Sequence, residues 1–161
     1  MGNEKFIHNL ILTAIVAAVY AALTVALPLQ YGAVQFRVAE ILTLLCFYNK
    51  RFIPALILGC FIANLPSELG WIDWVCGTAA TAIAVVFMPR IKNIWLAATL
   101  PVITNAVIVG AMLTYLFKMP FVISSAFVGL GQFTVIMVIG VPLFKFVLSK
   151  NRNIMQLIQR G

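Results

Sequence analysis

Negative charge is nearly missing from this chain. Its 161 residues include four acidic side chains, Glu4, Glu40, Glu68 and Asp73, and a single histidine, His8. So few titratable groups leave no relay of carboxylates and imidazoles to carry protons across a membrane. The phosphate-gripping pattern G-x-x-x-x-G-K-[ST] is absent, so the chain does not hydrolyse nucleotide through such a loop. There is no H-E-x-x-H and no nucleophile elbow. Three cysteines, Cys46, Cys60 and Cys76, lack metal spacing and read as small buried thiols. His8 has no neighbouring ligand set and reads as an interfacial side chain. Long polar linkers are also missing, so no soluble domain is expected within the sequence.

Apolar residues fill most of what remains. The chain is 63% hydrophobic, with a mean hydropathy of +1.08. An ordinary soluble domain is nearer half apolar, and a disordered chain is far below that. The net charge of +7 would suit nucleic acid only as a patch on a soluble surface. Here the basic residues fall between apolar runs. Those runs predict an all-α integral membrane protein with a single domain over residues 1–161. Six helices are expected, at Phe6–Pro28, Val34–Tyr48, Phe52–Leu65, Trp71–Met88, Ile94–Phe117 and Phe121–Leu148. The first run, from Phe6 to Leu29, exceeds the apolar core of a signal peptide, so a retained first span is expected.

The basic residues suggest an orientation. With the N-terminus in the cytoplasm, the inner side carries Lys5, Lys50, Arg51, Arg90, Lys92, Lys145, Lys150, Arg152 and Arg160, and the outer side only Arg37 and Lys118. That asymmetry is the positive-inside pattern, and six spans then leave both termini cytoplasmic.

The stretch Tyr31–Glu40, Y-G-A-V-Q-F-R-V-A-E, places Gln35, Arg37 and Glu40 at the head of an apolar run. About 20 helical residues are needed to cross about 30 Å of hydrocarbon. Helix 2 is therefore expected to begin near Val34 or earlier, with Glu40 below the outer surface. Arg37 and Glu40, three apart, would share a helix face and form either an intrahelical ion pair or part of a binding site. Asn64 at the end of helix 3 and Trp71, Asp73 and Trp74 at the start of helix 4 lie at a similar depth. Acceptors, an amide and flat indoles together suit a planar heterocycle with ring N–H donors. The tryptophans would equally suit an interfacial aromatic belt.

Asn105 and Gln132, on helices 5 and 6, are candidate floor residues of such a cavity, or interhelical hydrogen bonds. Pro101 and Pro142 are candidate kink sites. Gly77, Thr78 and Thr81 read as close-packing positions on helix 4. Helix 1 carries Ala14, Ala18, Ala22 and Ala26 on one stripe, with Ala17 and Ala21 beside it. Small side chains at four-residue spacing permit close helix approach, either within the bundle or to a partner.

Three blocks carry a family resemblance: Q-F-R-V-A-E (Gln35–Glu40), L-G-C-F-I-A-N-L (Leu58–Leu65) and D-W-V-C-G-T-A-A-T (Asp73–Thr81). Together they resemble the QueT family of queuosine-precursor transporters, substrate-binding S components of energy-coupling factor (ECF) importers. The resemblance implies a bacterial plasma-membrane bundle of six helices. It implies a transmembrane coupling protein and two cytoplasmic ATPases as partners, so that ATP is used by those subunits and no cofactor belongs to this chain. The solute implied is a 7-deazaguanine such as 7-aminomethyl-7-deazaguanine. Glu40 would accept from the base edge, Asn64 and Gln35 would meet the carbonyl or ring nitrogen, and Trp71 or Trp74 would stack. The base edge would suit Asp73 as well as Glu40, an aminomethyl cation would suit the second carboxylate, Arg37 would orient Glu40, and Ala14, Ala18 and Ala22 would dock the coupling protein. The alternatives are an S component for another vitamin or nucleobase, and a non-transport membrane scaffold. A membrane enzyme lacks a nucleophile or metal set.

Overall fold

The computed structural model describes residues 2–27 and 36–159, the side chains of 2–5 and 157 excepted. Gln35, the expected end of helix 1 at Pro28 and the expected start of helix 2 at Val34 lie outside the described residues. All regular structure among the described residues is helical.

Among the described residues, four helices are long and apolar enough to cross a membrane. Helix α1 spans Gly2–Ala26. It turns Ala17, Tyr20 and Thr24 inward, three and four residues apart, as one stripe should. Large apolar side chains such as Phe6, Leu10, Ile11 and Ile15 point out of the bundle. Water would not tolerate so much exposed hydrocarbon, but a lipid-facing surface requires it. Helix α4 covers Trp71–Phe87 and runs into a 3₁₀ turn at Met88–Arg90. Gly70 leads into it with φ of 66°, a left-handed conformation that glycine adopts without penalty. Helix α5 covers Ile94–Phe117, capped by Asn93, whose side-chain oxygen accepts from the backbone N–H of Trp95 at 2.9 Å. Helix α6 runs through Phe121–Lys150. It is α-helical to Gln132, π-helical over Phe133–Gly140 and Leu143–Val147, and 3₁₀ at its end.

The other two helices are short. Helix α2 is Val38–Tyr48, wound as a 3₁₀-helix over Val38–Leu44 and as an α-helix over Leu45–Tyr48. It does not begin at Val34 or earlier, because Phe36 and Arg37 are non-helical and Arg37 caps its N-terminus with φ −86° and ψ 87°. The 3₁₀ winding recovers part of the missing length. At about 2.0 Å per residue it stretches eleven residues to about 20 Å, against about 16 Å for an α-helix. Helix α3, Ile53–Asn64, follows a 3₁₀ turn at Lys50–Phe52, with Pro54 in its first turn, where a missing N–H costs nothing.

Sequential neighbours pack in the order α1, α3, α4, α5, α6. Helix α2 sits between α1 and the π-helical part of α6 and also touches α4 and α5, so it is the central element. Its Ala39, Glu40, Thr43, Leu44 and Cys46 are buried accordingly. Helices α1 and α3 meet closely at Gly59, where a Cβ would stand 2.9 Å from Tyr20 Cβ and 3.0 Å from Ala17 Cα. Ala17 thus serves the bundle, whereas Ala14, Ala18, Ala22 and Ala26 face outward.

A seventh helix, α7, spans Arg152–Gln159 and was not expected. Ile154, Met155 and Ile158 pack on the core while Arg152, Asn153 and Gln156 stay exposed. Asn49 Nδ2 donates to the Ile158 carbonyl at 3.0 Å and ties α7 to the end of α2.

Candidate functional site

Buried polar side chains come from every helix of α1 to α6, in a protein whose other interior groups are apolar. Each must find a partner or leave a deficit.

One group is centred on Arg37. Its position just before α2 lets the guanidinium reach sideways to α3 and α4. Nη2 donates to Asn64 Oδ1 at 2.9 Å and stands 3.6 Å from Asp73 Oδ2. Asn64 Nδ2 in turn donates to the Asp73 carbonyl at 3.4 Å. Gly77 provides the room for this meeting. A Cβ there would lie 2.6 Å from Asn64 Nδ2 and 3.3 Å from both Arg37 Nη1 and Asp73 Oδ1. The expected helix face shared by Arg37 and Glu40 does not form, because Arg37 precedes the helix and pairs with Asp73. Arg37 meets Glu40 through the backbone, where the Glu40 N–H donates to the Arg37 carbonyl at 3.0 Å, but among the described residues its side chain does not hold the Glu40 carboxylate.

Tyr20 and Thr81 do that instead. Glu40 is completely buried. Tyr20 Oη donates to Glu40 Oε1 at 2.6 Å, and Thr81 Oγ1 donates to the same oxygen at 3.1 Å. Thr43 Oγ1 holds the backbone, donating to the Glu40 carbonyl at 2.6 Å. Glu40 Oε2 is buried and has no hydrogen-bond partner among the described residues. Cys60 links the two groups. Its sulfur lies 3.3 Å from Thr81 Oγ1 and accepts from Asn64 Nδ2 at 3.6 Å. A continuous polar chain therefore runs Asp73, Arg37, Asn64, Cys60, Thr81, Glu40, Tyr20 across four helices.

The remaining candidates stand apart from that chain. Asn105 is buried in α5, with Nδ2 donating to the Pro101 carbonyl at 2.8 Å and Oδ1 unpartnered. Gln132 is buried where α6 changes from α to π winding, and its Oε1 is also unpartnered. Trp74 is half-buried with an unpartnered indole N–H. Trp71 is 67% exposed and is not brought into the cluster. Among the described residues, no three His, Cys, Asp or Glu side chains gather to hold a metal ion.

Tyr20, Cys60 and Thr81 are the site-lining residues that sequence reasoning missed. Tyr20 carried one legible signal. It is the sole tyrosine of α1, on the stripe with Ala17 that packs against α3.

Sequence comparison decides what kind of protein carries this cluster. The model of the QueT transporter family matches residues 10–149. This chain belongs to the QueT transporter family. It is accordingly a multi-pass protein of the bacterial membrane and a member of a transporter family rather than an enzyme. A relative named queuosine precursor transporter QueT, from Lactococcus lactis subsp. cremoris (strain MG1363), is 39% identical over 79 residues. That alignment covers 47% of this chain and 46% of the relative, so the chain spans about half the length of the curated relative it matches. No solved structure matches.

Proposed function

We propose that this chain is the solute-binding membrane subunit of an energy-coupling factor importer for a queuosine precursor, a 7-deazaguanine such as 7-aminomethyl-7-deazaguanine. In this reading residues 1–161 form one membrane domain. Six helices traverse the bilayer, α2 and α3 doing so as short segments, and both termini are cytoplasmic. The energy comes from ATP used by two partner ATPases through a transmembrane coupling protein. Ala14, Ala18 and Ala22 face away from the bundle, as a docking stripe for that coupling protein requires.

The observation that carries the reading is the unpartnered Oε2 of Glu40. A buried carboxylate oxygen without a donor is costly, and a solute bearing N–H groups removes that cost on binding. Asn105 Oδ1 and Gln132 Oε1 are further buried acceptors in the same condition. These acceptors suit the N–H groups of such a base, and the Trp74 indole N–H and the Thr78, Ser124 and Ser125 hydroxyls, also without partners among the described residues, suit its carbonyl and ring nitrogens. Glu40 accepts from the base edge, Asn105 and Gln132 take other donors, and Trp74 supplies a stacking face. Gln35 keeps its expected role at the carbonyl or ring nitrogen. Arg37, Asn64 and Asp73 frame the site through their own bonds, and Trp71 belongs to the aromatic belt.

A thermal-shift panel on the purified protein tests the proposal, using flavin, pantothenate, biotin, guanine and 7-deazaguanines. Stabilisation by 7-aminomethyl-7-deazaguanine above all others is expected. A larger shift with a vitamin would reassign the solute, and no shift with any compound would favour a scaffold role.

A further inference from the structure

The Glu40 carboxylate is engaged unevenly. Both hydroxyl donors, Tyr20 Oη at 2.6 Å and Thr81 Oγ1 at 3.1 Å, fall on Oε1, while Oε2 has none among the described residues. Two donors fill the lone-pair sites of one oxygen. They also fix a torsion that in glutamate is otherwise broad and weakly held. The donors come from α1 and α4, so the bundle rather than α2 itself sets the plane of the carboxylate.

Neither donor has room to move. Tyr20 is 1% exposed, and its Cβ closes on Gly59 of α3. Thr24 Oγ1 bonds the Tyr20 carbonyl at 2.9 Å and anchors that turn of α1. Thr81 is fully buried, with its hydroxyl 3.3 Å from Cys60 Sγ. Among the described side chains of α1, Tyr20 is the one that hydrogen-bonds to another helix.

We propose that Tyr20 and Thr81 are specificity-determining positioning residues: by occupying Oε1 they present Oε2 alone, at one fixed angle, to the solute's hydrogen-bonding edge. The inference rests on the reading of Glu40 as the solute acceptor. A fixed oxygen distinguishes an edge that aims both its donors correctly from one that lacks a donor, because the second leaves one acceptor site of Oε2 unfilled. A carboxylate free to turn would settle against either edge.

The test compares 7-aminomethyl-7-deazaguanine with its analogue lacking the 2-amino group, each titrated into the detergent-solubilised full chain. The wild type should prefer the amino-bearing base by at least about tenfold, the effect of one lost hydrogen bond to a charged group. In Tyr20→Phe and in Thr81→Val that preference should fall below about threefold, while Thr81→Ser, which keeps the hydroxyl, should retain it. Should Tyr20→Phe fail to fold, the Thr81 pair carries the test. Equal weakening of both ligands in the variants, with the wild-type ratio intact, marks a purely structural role and overturns the proposal. A Thr81→Ser variant that behaves like Thr81→Val overturns it too. If the wild type binds neither base, the assignment of the site itself fails. Selective wild-type binding with unaltered selectivity in the variants removes the present inference alone.

Discussion

The polar groups on α1 to α4 and those on α5 and α6 are equally buried but differ in how they are satisfied. On the first side, Asp73, Arg37, Asn64, Cys60, Thr81, Glu40 and Tyr20 form one connected chain, with Arg37 Nε, Trp74 Nε1 and Thr78 Oγ1 left over beside it. On the second, Asn105 Oδ1, Ser124 Oγ, Ser125 Oγ and Gln132 Oε1 have no partner. Connected groups hold helices in register and have little left to offer a guest. Unconnected groups are a standing deficit that a guest or water can meet. Glu40 lies on the border, since one oxygen belongs to the network and the other to the deficit. On the proposed reading of the site, the difference separates a frame from a receiving surface.

Breaking the frame should cost the most stability. Asp73→Ala leaves the Arg37 guanidinium buried without its carboxylate, a loss of about 3–5 kcal/mol. Thermal unfolding in detergent should show it plainly, whether or not solute is present. Gly77→Ala should come next, at about 1–3 kcal/mol, because the added methyl meets Asn64 Nδ2 and must push it aside. The receiving surface should respond in affinity as well as in stability. Asn105→Ala and Gln132→Ala remove acceptors without a partner among the described residues, and Asn105 also loses its bond to the Pro101 carbonyl, so each should cost about 1–2 kcal/mol, less than Asp73→Ala. Affinity for 7-aminomethyl-7-deazaguanine should fall about tenfold for each, or about 1.4 kcal/mol. A large stability loss from either would move that residue into the frame and blur the distinction.

Much of the fold could be read from the sequence because lipid imposes a simple rule. Apolar runs separated by breaks at Leu29–Ala33, Asn49–Arg51, Pro66–Gly70, Pro89–Asn93 and Lys118–Pro120 were visible as helices, and α4 and α5 start where expected. The start of α2 was not legible. Span length demanded an earlier beginning, and periodicity gives no warning that a helix will wind as 3₁₀ to gain length. The α7 segment was hidden because it is short and half polar, although Asn151 accepts from the backbone N–H of Asn153 and so marks its start.

For the site, depth was legible and pairing was not. Arg37, Glu40, Asn64 and Asp73 stood out as costly groups in an apolar chain. Their proximity in sequence suggested that Arg37 and Glu40 belong together. Arg37 instead turns toward Asn64 and Asp73, and Glu40 turns toward a tyrosine twenty residues earlier in the chain. Tyrosine, cysteine and threonine are ordinary in membrane helices, so Tyr20, Cys60 and Thr81 gave little sign of serving one carboxylate.

The central claim is that Glu40 Oε2 receives the solute. Calorimetric titration of 7-aminomethyl-7-deazaguanine into wild-type protein and into Glu40→Gln tests it most directly. Glutamine keeps the shape and can still accept from Tyr20 and Thr81, but it puts an N–H₂ where Oε2 stood. The account predicts affinity lower by at least about 30-fold, or about 2 kcal/mol, with little change in unfolding temperature. Wild-type affinity in Glu40→Gln would contradict it.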